Sequence, residues 1–125
     1  MNTATLAYVL NGRGLKPTGG DYPYPWRAYD LTDSLASGAS LRIVVHPDDG
    51  DRIDVYGFDR RMVELWQVQL SDAMPRDIVI AALNSAVAWL APVGKFAKFT
   101  AREFREAEDL LFAIAEAEAR RAVRA

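Results

Sequence analysis

Residues 62–90, MVELWQVQLSDAMPRDIVIAALNSAVAWL, constrain the fold more than any other stretch of the chain. Trp66, Val68 and Leu70 alternate with Leu65, Gln67 and Gln69, and alternation of period two marks a half-buried strand. Ser71-Asp72-Ala73 breaks that run. Pro75 then suits the first position of a helix, where the N–H it lacks would have no partner, and Asp77 adds a negative charge to the first turn. The helix expected over 75–91 is apolar nearly all round: Ile78, Val79, Ile80, Ala82, Leu83, Ala86, Val87, Trp89 and Leu90 leave only Asn84 and Ser85 polar within that run. Such a helix is buried on more than one side, either between a sheet and a second helix or in an oligomer interface. Pro92 and Gly94 close it. Strand and helix therefore form the expected centre of the fold.

The residues before this centre read as a loop-rich part with one strand, over 1–40. Residues 3–10 offer the strand, with Leu6, Tyr8 and Leu10 on one face and Asn11-Gly12 as the turn. Residues 12–20, GRGLKPTGG, read as a surface loop carrying Arg13 and Lys16. A phosphate-binding loop needs Lys-Ser/Thr opening a helix, and here Lys16 is followed by Pro17. Residues 30–37 read as a short helical turn capped by Asp30 or Thr32 and closing at Gly38. Residues 41–70 form an antiparallel meander. LRIVVH is a β-branched strand, Pro47-Asp48-Asp49-Gly50 is turn chemistry, and Ile53 and Val55 lie on the returning strand. A second reversal at Asp59-Arg60-Arg61 leads into the tryptophan strand.

A last helix is expected over 100–123. Thr100-Ala101-Arg102-Glu103 is a capping box, in which the Thr and Glu side chains reciprocally satisfy free N–H groups, with Phe99 and Phe104 as the hydrophobic staple. Phe104, Ala107, Leu111, Ile114 and Ala115 fall along one face, and Arg120, Arg121 and Arg124 suit the negative end of the helix dipole. The fold class that follows is α+β. A single domain spans 1–125, with an antiparallel sheet of three or four strands packed against a buried central helix and a long C-terminal helix.

Four aromatics in 22–29, Tyr22, Tyr24, Trp26 and Tyr29, make the most unusual local composition. Two X-Pro steps hold Tyr22 and Tyr24 extended. The segment is either a lid whose rings plug the core or a recognition surface, because Tyr and Trp supply rigid contact area with a polar tip. These four residues are the expected partner-binding site. The surplus apolar surface of the central helix points to a homodimer interface through Ile78, Val87 and Trp89.

Catalytic chemistry finds little support. His46 is the single histidine; with Asp48 or Asp51 it could be oriented as a general base, but no strained elbow marks a nucleophile. The acidic hairpin Asp48, Asp49, Asp51 and Asp54 lacks both the D-x-D-x-D-G spacing and the bidentate Glu of a calcium loop. No catalytic residue, metal site or cofactor is assigned. A net charge of −2 gives no drive toward nucleic acid, and the Arg-rich helix end is preceded by six acidic residues between Glu103 and Glu118. Zero cysteines exclude disulfides and thiolate metal sites. MNTATLAYVL has neither a basic n-region nor the length of a membrane span, so a cytoplasmic protein without membrane association is expected.

Trp66-Gln67-Val68 followed by Ser71, Pro75, Ile78-Val79 and Ala81-Ala82-Leu83 resembles a small actinobacterial and actinophage domain family of unknown function. Its members pair a Trp-bearing strand with a Pro-initiated, Ala-rich helix, often in phage-related or mobile-element proteins. Met74 departs from the pattern, standing where Thr or Ser would cap the helix. The resemblance implies a genomic setting and no activity. The expected function is a non-enzymatic protein-binding accessory module. The alternatives are a small ligand-binding domain or enzyme using His46 and the acidic hairpin, and a nucleic-acid binder using the Arg-rich helix end.

Overall fold

Alternation in the middle of the chain builds the sheet. A computed structural model describes residues 3–18, 27–32, 38–47, 52–71, 73–90 and 97–124, with Thr32 and Arg124 described in their backbones only. Strands β1 (Arg27–Thr32), β2 (Ser40–His46), β3 (Arg52–Phe58) and β4 (Glu64–Leu70) pair antiparallel in sequence order. The register aligns Tyr29 with Ile43, Ile43 with Val55 and Val55 with Val68. One face of the sheet therefore carries Tyr29, Leu31, Leu41, Ile43, Val45, Ile53, Val55 and Leu70, all buried. The other carries Asp30, Arg42, His46, Asp54, Tyr56 and Gln67, the polar half of the same alternation.

Residues 3–10 are not a strand. They lie in helix α1 (Thr3–Gly12), which buries Leu6, Val9 and Leu10 and leaves Tyr8 41 % exposed. The same letters satisfy both periods; spacing of three and four wins because it places three apolar side chains on the sheet, whereas alternation would place Tyr8 there. Gly14, at φ 84°, ends the helix. The Leu15 N–H donates to the Leu10 carbonyl at 3.2 Å and the Gly14 N–H to that of Asn11 at 3.0 Å, a Schellman closure that needs a left-handed residue. The glycines of 12–20 thus include a helix stop. The first strand is β1 instead, and Asp30 to Thr32 belong to it rather than to a helical turn.

Two further helices complete the chain, α2 (Arg76–Leu90) and α3 (Ala101–Arg124). α2 buries Val79, Ile80, Leu83, Ala86, Val87 and Leu90 over β2 and β3, and exposes Ile78, Ala81, Ala88 and Trp89. It is buried on one face only, so the reading of a helix covered on several sides is corrected. β4 is likewise an edge strand and not the centre of the sheet, with Leu65 55 % and Val68 43 % exposed. α3 packs on α1 and touches α2 through its first half, where Phe104 and Ala107 are buried. From Phe112 onward every described side chain is exposed, Ile114 included.

The start of α3 is held by half of a capping box. The Glu103 N–H donates to Thr100 Oγ1 at 3.2 Å, and the Phe99 and Phe104 rings meet at 6.1 Å. The Glu103 carboxylate turns away from the cap. It accepts hydrogen bonds from Arg13 Nε at 3.0 Å and Nη2 at 2.8 Å. Arg13 also donates to the carbonyls of Ala97 and Lys98, at 2.7 and 2.9 Å, and lies 4.0 Å over the Phe99 ring. One guanidinium therefore ties the end of α1 to the start of α3.

Candidate functional site

The helical layer stops short of the last strand. α2 lies over β2 and β3, and between it and the inner face of β4 at Trp66 and Val68 runs a groove of about 240 Å³ lined by Val55, Trp66, Val68, Ala82, Ser85, Ala86 and Trp89. Apart from the Ser85 hydroxyl its side chains are apolar. Ala82, Ser85 and Trp89 recur at the spacing that keeps residues on one helix face and form the α2 wall of the groove, with Ile78 on the same face one turn beyond the lining. β4 forms the floor. Among the described residues no strand lies beside its outer backbone edge, and Leu65 sits in the irregularity opposite Gly57 and Phe58, where the ladder is interrupted.

Two indoles shape one end. Trp66 lies against the backbone of Gly57, where an added Cβ would overlap its Cε2, Nε1 and Cζ2 atoms. Only glycine admits the ring there. Trp89 meets Trp66 edge-on, with centroids 5.2 Å apart and planes at 85°, the arrangement aromatic quadrupoles prefer. Trp89 remains 39 % exposed and Ile78, one turn beyond the wall, 54 %.

Of the expected oligomer-interface residues, Ile78 and Trp89 are on this surface, whereas Val87 is 5 % exposed and packs into the core. Tyr22, Tyr24 and Trp26 lie outside the described residues. Tyr29 is 1 % exposed on the inner face of β1, with its hydroxyl hydrogen-bonded to the Asn11 side chain, which removes it from any recognition surface. Trp66, Val68, Ala82 and Ser85 were not assigned to a site from the sequence. The wall spacing was legible there; which strand it faces was not.

The opposite face of the sheet holds a second constellation. Asp54 is 3 % exposed, with His46 Nε2 3.0 Å and Arg52 Nε 3.3 Å from its Oδ2. The approach of His46 misses hydrogen-bond geometry, and Asp54 Oδ1 has no hydrogen-bond partner among the described residues. The Tyr56 hydroxyl donates to Oδ2 at 3.5 Å. Burial raises the Tyr56 phenol above its ordinary value, and the Asp54 and Glu64 carboxylates add to the shift. Beside this group a shallow depression of about 300 Å³ is lined by Arg42, Val44, His46, Tyr56, Phe58 and Glu64. Arg42 is engaged by Asp30 at 2.7 Å, which raises its pKa, and lies 5.6 Å over Phe58. Of the acidic hairpin, Asp48, Asp49 and Asp51 lie outside the described residues. No group of three metal-binding side chains occurs among the described residues. Arg120 and Arg121 are exposed, with Arg120 3.9 Å from Glu116.

No family model, curated protein or solved structure matches the chain. No helix among the described residues is long and apolar enough to cross a membrane.

Proposed function

We propose that the chain is a non-enzymatic protein-binding module whose docking surface is the α2–β4 groove, and that its occupant is an amphipathic helix. The observation that carries this reading is a helix layer one strand too narrow for its sheet. A helix centred over β2 and β3 lies about 7 Å from β4, and helices pack 8–10 Å apart, so a second helix beside α2 would lie over β4 and its open edge. Helix-in-groove recognition uses an apolar trough of this kind, with large aromatic side chains as anchors. Trp66 and Trp89 fill that role. An accessory role in a phage or mobile element, in the cytoplasm, agrees with the resemblance of residues 66–83 described above.

A second reading places a small-ligand or catalytic site on the opposite face of the sheet. The raised Tyr56 phenol, set beside the buried Asp54 carboxylate, favours it, since a perturbed group facing a cleft recurs at functional sites.

The test uses three tagged baits: the parent, Ser85→Arg and His46→Ala. Each is incubated with a host lysate that also contains the untagged chain, and retained proteins are quantified by mass spectrometry. Ser85 is exposed in the groove wall, so the arginine leaves the core intact, which circular dichroism checks. A protein held by the parent and by His46→Ala but lost from Ser85→Arg supports the groove. Loss with His46→Ala alone supports the second reading, and no difference among the three removes the first.

A further inference from the structure

We propose that the groove receives the distal half of α3 from a second copy of the chain, so that two copies exchange arms about a two-fold axis. The inference rests on the reading of the groove as a helix acceptor. It begins from a mismatch in α3. The helix is continuous from Ala101 to Arg124, yet only its first half touches the body. Phe112, at 68 %, and Val123, at 87 %, are the two most exposed large apolar side chains among the described residues.

The apolar face of the arm continues the stripe that packs on the body. Phe104, Ala107 and Leu111 are followed on that face by Ala115, Ala119 and Ala122, with Ile114 and Phe112 flanking. Of the charged side chains only Glu118 interrupts it. An isolated helix of roughly three and a half turns is marginal in water, so an arm of this length calls for a covering surface. Its alanines allow close approach to a wall, and its large residues sit at the ends.

The dimensions agree. The α2 wall of the groove runs from Ala82 to Trp89, about 10 Å of helix, and Ile78 on the same face extends it by one turn to about 16 Å, the separation of Phe112 and Val123 in the arm. The arm has no break at which to fold back into its own groove, so the occupant comes from another copy. Reciprocal exchange of two arms buries twice the area of one arm in one groove, which brings the contact toward the roughly 1,600 Å² of a standard specific interface. The two-fold arrangement also closes the assembly, with each copy giving one arm and receiving one.

The chain has no cysteine, so introduced thiols report without background. Ser85→Cys and Ala119→Cys are made separately in the full chain, oxidised alone and as a mixture, and run without reductant. The expected result is a linked dimer from the mixture and none from either variant alone. Linkage of Ala119→Cys to itself would mean arm-to-arm pairing, and linkage of Ser85→Cys to itself would mean groove-to-groove pairing; either overturns the exchange. Absence of every link, with a monomeric mass by light scattering, also overturns it. Adding Phe112→Asp to the Ala119→Cys chain should reduce the mixed link at least tenfold while helix content stays unchanged, and a link that persists refutes the arm as the contact. Capture of a foreign protein through Ser85, with no mixed link, leaves the protein-binding reading standing and removes this one.

Discussion

Replacing Arg13 by alanine tests whether a single side chain couples the two ends of the described chain. Arg13 makes four hydrogen bonds, two to Glu103 and one each to the Ala97 and Lys98 carbonyls, and stacks 4.0 Å over Phe99. Its side chain is 21 % exposed and that of Glu103 30 %, so screening is partial and the pair exceeds an ordinary surface salt bridge. A bidentate pair at this exposure contributes about 1 kcal/mol, and the carbonyl bonds and ring contact about another 1–2. The carbonyls regain water, and the freed Glu103 can swing back to the Thr100 N–H and complete the capping box, recovering about 0.5 kcal/mol. Arg13→Ala should therefore destabilise by about 2 kcal/mol, a fall of about 1 M in the urea midpoint. Arg13→Lys should lose more than half of that, since an ammonium cannot span the fork. A double-mutant cycle with Glu103→Gln should return a coupling of about 1 kcal/mol. An Arg13→Ala protein within 0.5 kcal/mol of the parent would show that the guanidinium is a surface ornament and the reasoning wrong.

Gly57→Ala should displace the Trp66 indole, at a cost of about 1–3 kcal/mol, and near-UV circular dichroism should register loss of the Trp66–Trp89 contact; unchanged spectra and stability would contradict the close approach. Met62 sits at φ 63° in a turn closed by Asp59, whose carboxylate accepts the N–H groups of Arg61 and Val63, so Met62→Gly should stabilise the chain by about 0.5–1 kcal/mol in the same urea assay. Tyr29 and Tyr56 both have phenol pKa values raised chiefly by burial. A raised acid holds its proton longer when folded, so this stability is fully present below the ordinary value of 10.0 and is lost as the pH rises through the folded values. Tyr29→Phe with Tyr56→Phe should flatten that alkaline decline, and an unaltered slope would exclude these phenols as its source.

What could be read from the sequence depended on whether one segment decided the matter alone. β2 and β3 were legible because β-branched residues alternate around explicit turn chemistry at Pro47 and Asp59. The start of α3 was legible from Thr100 and its flanking phenylalanines, although the partner of Glu103 was not, since Arg13 lies far away in sequence. α1 reads as a strand from the sequence because Leu6 and Leu10 fit either period, with Tyr8 completing the alternation and Val9 the helical face. The position of β4 at an edge could not be read at all: alternation reports which faces of a strand differ, not which neighbours it has. That is also why the groove was missed. α2 looks surrounded in the sequence because Ile78 and Trp89 widen its apolar run beyond one face, and both are exposed.

The clasp between α1 and α3 joins residues 90 apart in sequence, while the strand pairs of the sheet join near neighbours. On a ribosome these contacts become available in a fixed order. The meander can zip as it emerges, because each strand follows its partner. α1 cannot dock on α3 until α3 has been made, and at about 5–20 residues per second the interval from Arg13 to Glu103 is roughly 5–20 s. For that time Leu6, Val9 and Leu10 have at most the growing sheet to cover them, and whatever chaperones bind this nascent chain should bind its first helix.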